Sequence, residues 1–199
     1  MFDNIAEGKD PWEGKKFKSN EFRKLYENVF PILFRVSYRI TGSEEAAEDL
    51  CQEAFFRLHE KQMVFPNPDE AKYWLIRVVK NASLNYSKRK IREAKAYQKA
   101  FREETRTVET GENILIKKET RDEVREALQK LPENLRMVLI LKEYGELNYR
   151  EIGLSMGISE GNVNVRVFRA RERLTGLLSQ MAANQNSNEN LNKEGFYVS

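Results

Sequence analysis

The chain is poor in the residues that build covalent or metal-centred chemistry. One cysteine and one histidine in 199 residues exclude an internal disulfide and cannot close a zinc site of four Cys/His ligands. Cys51 reads as a small core residue and His59 as a surface residue. Long apolar runs are absent as well. The longest, Val29 to Phe34 and Met137 to Leu141, fall far below the ~20 residues of a membrane-spanning helix. The opening MFDNIAEGKDPWEGKK has no apolar stretch like that of a secretory signal, so a cytoplasmic protein is expected. Excess charge is lacking too: a net +3 does not by itself imply a polyanionic partner, and what matters is where the charge sits. What remains is 40% hydrophobic and 33% charged, with a mean hydropathy of -0.69. That composition suits a soluble helical chain, long enough for one domain or two small ones.

The most informative stretch is Asn148 to Leu178. Asn148 with Glu151 three residues on predicts a capping box, and Gly157 ends the short helix that follows. Ser159 can cap a second helix, in which Val163, Val167, Ala170, Leu174, Leu178 and Met181 recur at helical spacing and face inward. The opposite face carries Asn162, Asn164, Arg166, Arg169 and Arg173, side chains that donate to base edges and phosphates. Ile152 and Ile158 would pack beneath the turn. The pattern predicts a helix-turn-helix bound to duplex DNA; the alternative is a three-helix cluster whose arginines merely face solvent.

Residues 1–19 mix Gly, Lys, Asp and Pro without periodicity and read as a flexible arm. A helix follows through Phe22, Leu25, Tyr26, Val29, Leu33, Val36 and Ile40, with a kink expected at Pro31 and a stop at Gly42. Ser43 caps the next, from Glu44 to about Lys61, expected to bury Ala47, Leu50, Ala54, Phe55 and Leu58. Its exposed side is acidic: Glu44, Glu45, Glu48, Asp49, Gln52 and Glu53. Asp49 and Glu53, one turn apart, suit a basic protein partner or solvent equally well. Asn67, Pro68 and Glu70 open a third helix, whose apolar row is Ala71, Trp74, Leu75, Val78, Ala82 and Tyr86. Between Arg77 and Lys95 seven positive residues stand against one negative residue, Glu93, a footprint for phosphates with aromatic and amide groups suited to unstacked bases.

Residues 93–119 lose the pattern and read as a mixed-charge linker, part of it helical through Tyr97 and Phe101. Periodicity returns at Thr120 with Val124, Ala127, Leu128 and Leu131. Pro132 starts a further helix through Leu135, Val138, Leu139 and Leu141, stopped at Gly145. Past Met181 the tail is Asn-rich and too poor in apolar residues to order itself. The expected architecture is all-α: an arm (1–19), a helical domain (20–92), a flexible linker (93–119), a helix-turn-helix domain (120–181) and a disordered tail (182–199).

In this order the motifs resemble the extracytoplasmic-function (ECF) group of bacterial RNA polymerase sigma factors, in the sigma-70 family. AEDLCQEAFFRL resembles the group's polymerase-binding segment, KYWLIRVVKNASLNYSKRK the helix that opens and reads the minus-ten promoter element, and residues 131–174 the minus-thirty-five reader. The resemblance implies a promoter-specificity subunit that catalyses no reaction itself and uses no cofactor or metal. Its implied partners are core RNA polymerase, promoter DNA as duplex and as single non-template strand, and an anti-sigma protein. Asp49, Leu50, Gln52 and Glu53 would dock on the polymerase. Phe65, Asn67, Trp74, Asn81 and Asn85 would hold a flipped base, and Lys80, Lys88 and Arg89 its phosphates. Ser159, Asn162, Asn164, Val165, Arg166 and Arg169 would meet the minus-thirty-five duplex. The group commonly has Thr, Lys and Ser where this chain has Asn162, Asn164 and Val165, so the promoter sequence does not transfer; Lys80 replaces a common Arg.

Two other readings use fewer of these features. A stand-alone helix-turn-helix regulator binding an operator as a dimer accounts for the C-terminal half alone. A nuclease with Glu45, Glu48, Asp49 and Glu53 as metal ligands would place them on one exposed helix without the convergent second cluster that a catalytic metal needs.

Overall fold

The computed structural model describes residues 15–16, 19–61, 63–104 and 119–194. Seven helices account for nearly all of them, as the periodicity predicts. The periodicity does not anticipate one element: an antiparallel pair between β1 (Lys15–Lys16) and β2 (Val64–Phe65). Part of the stretch expected to be a flexible arm is therefore paired. The chain divides into two units, for the most part residues up to Ala96 and residues from Tyr97 onward.

The N-terminal unit holds α1 (Ser19–Thr41), α2 (Glu44–Glu60) and α3, which runs from Pro68 to Glu104. Along α1 the buried residues are Leu25, Val29, Leu33 and Val36, the expected row, while Tyr26 lies exposed on its flank. The helix continues through Pro31, which faces outward. Gly42 then stops it at φ 73, and the Ser43 side chain accepts from the Ala46 N–H at 3.2 Å to begin α2. On α2 the core takes Ala46, Ala47, Cys51, Ala54, Phe55 and Leu58; Leu50, expected inside, is half-buried, and Cys51 fills the interior position.

The register of α3 differs from the expectation. Its buried row is Ala71, Leu75, Val79 and Ser83, four residues apart, with Ile76 and Leu84 beside it, while Trp74, Val78, Ala82 and Tyr86 are not the fully buried row that was expected: Trp74 and Tyr86 are only half-buried. A count of apolar residues misses this row because its last member is a serine. Ser83 is satisfied within the core: its hydroxyl donates to the Val79 carbonyl at 2.7 Å and shares a 2.8 Å hydrogen bond with buried Ser37 of α1. Ser87, one turn on, donates to the Ile40 carbonyl at 2.9 Å. The helix also outlasts its predicted end at Arg92. Residues 88–98 are exposed, yet no Gly or Pro interrupts them, and Lys, Arg, Ala, Glu and Gln carry the helix on propensity without a buried face.

The C-terminal unit contains α4 (Glu119–Lys130), α5 (Glu133–Glu143), α6 (Tyr149–Met156) and α7 (Glu160–Glu194). At its centre is α5, in which Met137 to Leu141 are all buried. Such a helix has no exposed stripe in its middle and needs neighbours all round. Both α4 and α5 pack on α7, whose Val163, Val167 and Ala170 are buried and whose Leu174, Leu178 and Met181 are half-buried, the predicted row. The last part of α7 extends through the Asn-rich stretch expected to be unordered, again with no Gly or Pro between Leu177 and Glu194.

The turn between α6 and α7 follows its predicted chemistry. Asn148 accepts from the Glu151 N–H at 2.9 Å and Glu151 accepts from the Asn148 N–H at 2.8 Å, a complete capping box. Gly157 adopts φ 69, the left-handed conformation that favours glycine, and Ser159 accepts from the Asn162 N–H at 3.3 Å. Gly153, which no sequence pattern singles out, sets the closeness of the turn. The Ile158 N–H donates to the Gly153 carbonyl at 3.0 Å, and a Cβ on Gly153 would lie 2.7 Å from the Ile158 carbonyl oxygen.

This packing makes two outcomes measurable. Gly153→Ala gains helix propensity but drives a methyl into backbone; it should lower stability by about 1–3 kcal/mol. Gly161→Ala, where nothing lies within 4 Å, should instead stabilise by about 0.4–1 kcal/mol. Urea denaturation of the two variants separates them, and a neutral Gly153→Ala would refute the steric account. The second concerns Cys51, 0% exposed, whose thiol is pushed up to about 12 by burial, with neighbouring Glu48 adding to the shift. Between about pH 8.5 and 12 the unfolded chain loses this proton while the folded chain keeps it, so the contribution to stability is intact below that window and declines through it. The stability of the unsubstituted chain should fall more steeply with pH than that of Cys51→Ala, by up to about 1.4 kcal/mol per pH unit above pH ~9. Parallel curves would contradict it.

Candidate nucleic-acid interface

The first candidate surface is the outer face of α7. With Val163, Val167 and Ala170 turned inward, Ser159, Asn162, Asn164, Val165 and Arg169 are exposed and Arg166 is half-buried. The Arg166 Nε donates to Asn162 Oδ1 at 2.8 Å, which ties the two polar side chains together one turn apart. Arg171 is engaged elsewhere: its guanidinium donates to the Glu143 carboxylate of α5 at 2.8 Å and fixes the helix from its other side. Phe168 is absent from the candidate residues read in the sequence, yet it is 68% exposed beside Arg169 and Val165. The signal was available. Val167 belongs to the buried row, and the next residue on a helix is rotated about 100° away from it. The face thus combines donors for base edges and phosphates with apolar groups able to meet a thymine methyl.

The second surface lies on α3 and the loop before it. Helical spacing sets Trp74, Asn81, Asn85, Lys88 and Arg92 along one side, away from the buried row. Asn81, Asn85, Lys88 and Arg89 are exposed; Trp74 and Lys80 are half-buried. Arg89 and Lys90 lie 5.6 Å and 5.9 Å from the Tyr86 ring centroid, and Glu93 is 3.6 Å and 3.7 Å from the same two cations. At the N-terminal end, Asn67 Oδ1 accepts from the Glu70 N–H at 3.0 Å, so its carbonyl is used as the cap and its amide nitrogen is left for other partners. Phe65 departs from its expected role. It is 3% exposed, its ring 6.0 Å from that of Trp74, so it supports the loop from beneath and offers no face to a base.

On α2 the acidic side is exposed as expected at Asp49, Gln52 and Glu53, with Leu50 half-buried among them. Gln52 donates to Glu48 at 3.0 Å and Glu53 pairs with Arg57, contacts within one helix that hold these side chains in place. The same side carries Phe56, 63% exposed, seven residues beyond Asp49. The sequence signal for it is the doublet Phe55–Phe56, of which one helix can bury only one. Among the described residues no group of three or more His, Cys, Asp or Glu is placed to hold a metal ion, and no helix is long and apolar enough to cross a membrane.

Comparison with known proteins places both units. The model of Sigma-70 region 2 matches residues 25–93, and that of Sigma-70 region 4 matches residues 121–174. The ECF RNA polymerase sigma-E factor of Escherichia coli K12 is 31% identical over 138 residues, 63% of this chain and 70% of that protein. The ECF sigma factor SigW of Bacillus subtilis is 27% identical over 168 residues, 80% of this chain and 90% of that protein. Among solved structures, the sigma factor RpoE of Bartonella quintana, in complex with the anti-sigma factor NepR, superposes with a TM-score of 0.57 at 23% identity, covering 80% of this chain and 98% of that one. The acidic α2 and basic α3 fall within the region 2 match and the helix-turn-helix within the region 4 match, and with the Escherichia coli relative they show that this chain belongs to the ECF group of sigma-70 family RNA polymerase sigma factors.

Proposed function

We propose that the three surfaces divide the work of a sigma factor among them: α2 docks on core RNA polymerase, α3 with its loop reads and opens the minus-ten element, and α7 reads the minus-thirty-five duplex. The observation that carries this reading is the side of α3 bearing Trp74, Asn81, Asn85 and Lys88, an aromatic, amide and cationic surface turned away from the core. Taking a base out of its stack costs a few kcal/mol, and a stacking ring with amide donors beside basic residues is the chemistry that offsets it. A duplex reader alone has no use for such a face, nor for the acidic side of α2, which disfavours a dimeric operator-binding regulator.

On α7, Arg166 and Arg169 hold phosphates or guanines, Asn162 and Asn164 face base edges, and Val165 and Phe168 rest on thymine methyls. Trp74 and the Asn67 amide border the flipped base, with Asn81 and Asn85 along the helix and Lys80, Lys88 and Arg89 on phosphates. Phe65 acts from below by supporting the loop. On α2, Asp49, Gln52 and Glu53 supply polar contacts to the polymerase around Leu50 and Phe56. The chain performs no catalysis of its own and works in the cytoplasm, where polymerase and promoter are found. An anti-sigma protein is its expected regulator, by likeness to the RpoE–NepR complex.

The purified chain mixed with its cognate core polymerase should co-elute with it and direct transcription from genomic fragments that core alone ignores; absence of both would overturn the reading. Within the holoenzyme, Arg166→Ala and Arg169→Ala should each weaken duplex promoter binding by about 1–3 kcal/mol and make its salt slope shallower by about 0.9 for each phosphate no longer neutralised. Asn81→Ala should leave duplex binding unchanged while reducing opening, read by permanganate reactivity of unpaired thymines. Equal effects of all three on opening alone would contradict the division of labour.

A further inference from the structure

We propose that the N-terminal arm is part of the strand-opening site, with Lys15 and Lys16 supplying phosphate contacts to the single strand held at the Asn67 loop. This rests on the reading of α3 as the strand-opening helix and adds to it a cationic site from a segment outside the matched sigma regions.

The placement comes from the β1–β2 pair, in which Lys15 stands opposite Phe65 and Lys16 opposite Val64. Opposed residues of an antiparallel pair are about 4.5–5.5 Å apart at Cα. Asn67 follows Phe65 by two residues, at most about 7 Å along the chain. The arm therefore brings two lysines into the neighbourhood of the loop that begins α3.

Charge gives that placement a purpose. Between Val64 and Ala71 the only charged residues are Asp69 and Glu70, so the loop itself is locally acidic and a poor seat for a phosphodiester backbone. From Lys15 to Ser19 the arm carries Lys15, Lys16 and Lys18 and no acid, the missing sign of charge. Energetics favour the same assignment. Ordering a residue costs about 1–2 kcal/mol and each hydrogen bond returns about 0.5–1.5 kcal/mol, so a pair of two-residue strands is marginal by itself. A polyanion lying across both the arm and the loop would hold it closed.

The test uses holoenzyme reconstituted with cognate core and a short fluorescein-labelled single strand, taken from the non-template strand of a promoter that the unsubstituted holoenzyme selects. Lys15→Gln/Lys16→Gln removes the charge and keeps a backbone able to pair. With two phosphates no longer neutralised, the salt slope should become shallower by about 1.4, so that the advantage of the unsubstituted chain shrinks roughly sevenfold between about 50 and 200 mM salt. Co-elution with core and duplex binding should be retained. Identical slopes overturn the proposal, and they do so even if deleting residues 1–17 impairs binding, because the arm would then be only a brace. Asn81→Ala, run in parallel, separates the two levels: if it weakens binding while the lysine variant does not, the arm's role fails alone, and if neither variant does, the strand-opening reading fails with it.

Discussion

Burial of one apolar row per helix is the constraint on which the rest of this protein depends. Each buried Leu or Val contributes about 1.5–3 kcal/mol, far more than any single exposed contact, so the rows decide how every helix is rotated. Once Val163, Val167 and Ala170 are inside, Asn162, Arg166 and Arg169 have no choice but to face out. On α3 the same constraint puts Trp74, Asn81 and Asn85 on the free side because Leu75, Val79 and Ser83 occupy the other. The nucleic-acid surfaces are thus what is left over from packing, which is why they are straight strips at helical spacing.

The helix α5 is the exception that makes the C-terminal unit possible. Its buried run from Met137 to Leu141 presents an apolar surface on every side, and it packs on α7, which packs on α4 in turn. The short α6 can then be held by its ends: the capping box at Asn148, and the hydrogen bond between the Ile158 N–H and the Gly153 carbonyl. A turn closed by backbone in this way presents α7 at a fixed angle. That is what a duplex reader requires, since a groove accepts a helix only when its N-terminal residues are held in position.

Polar groups inside the N-terminal unit are few and answered. Ser37 and Ser83 satisfy each other, and Ser87 is bonded to the Ile40 carbonyl, so α1 and α3 are registered by direction as well as by contact. Outside, many functional candidates are held by a neighbour on their own helix: Gln52 by Glu48, Glu53 by Arg57, Arg166 by Asn162. Such exposed pairs add little stability, typically a few tenths of a kcal/mol, but they reduce the side-chain entropy cost when a partner arrives.

The sequence alone determined the helices, their caps and the division into two units, because caps, breakers and apolar periodicity are local: Ser43, Asn67, Asn148, Gly157 and Ser159 all do in space what their neighbours along the chain predict. The resemblance carried by its motifs was equally local, resting on short runs of contiguous residues. Only the tertiary structure decided which side of α3 is buried, because the choice between the Trp74–Val78 row and the Leu75–Val79 row turned on a serine pairing with another serine 46 residues away. It alone showed that Phe65 lies beneath the loop, that Phe56 and Phe168 stand out from their helices, and that Lys15 and Lys16 return to pair with Val64 and Phe65. These facts depend on contacts between residues distant along the chain, and no local pattern of side chains encodes them.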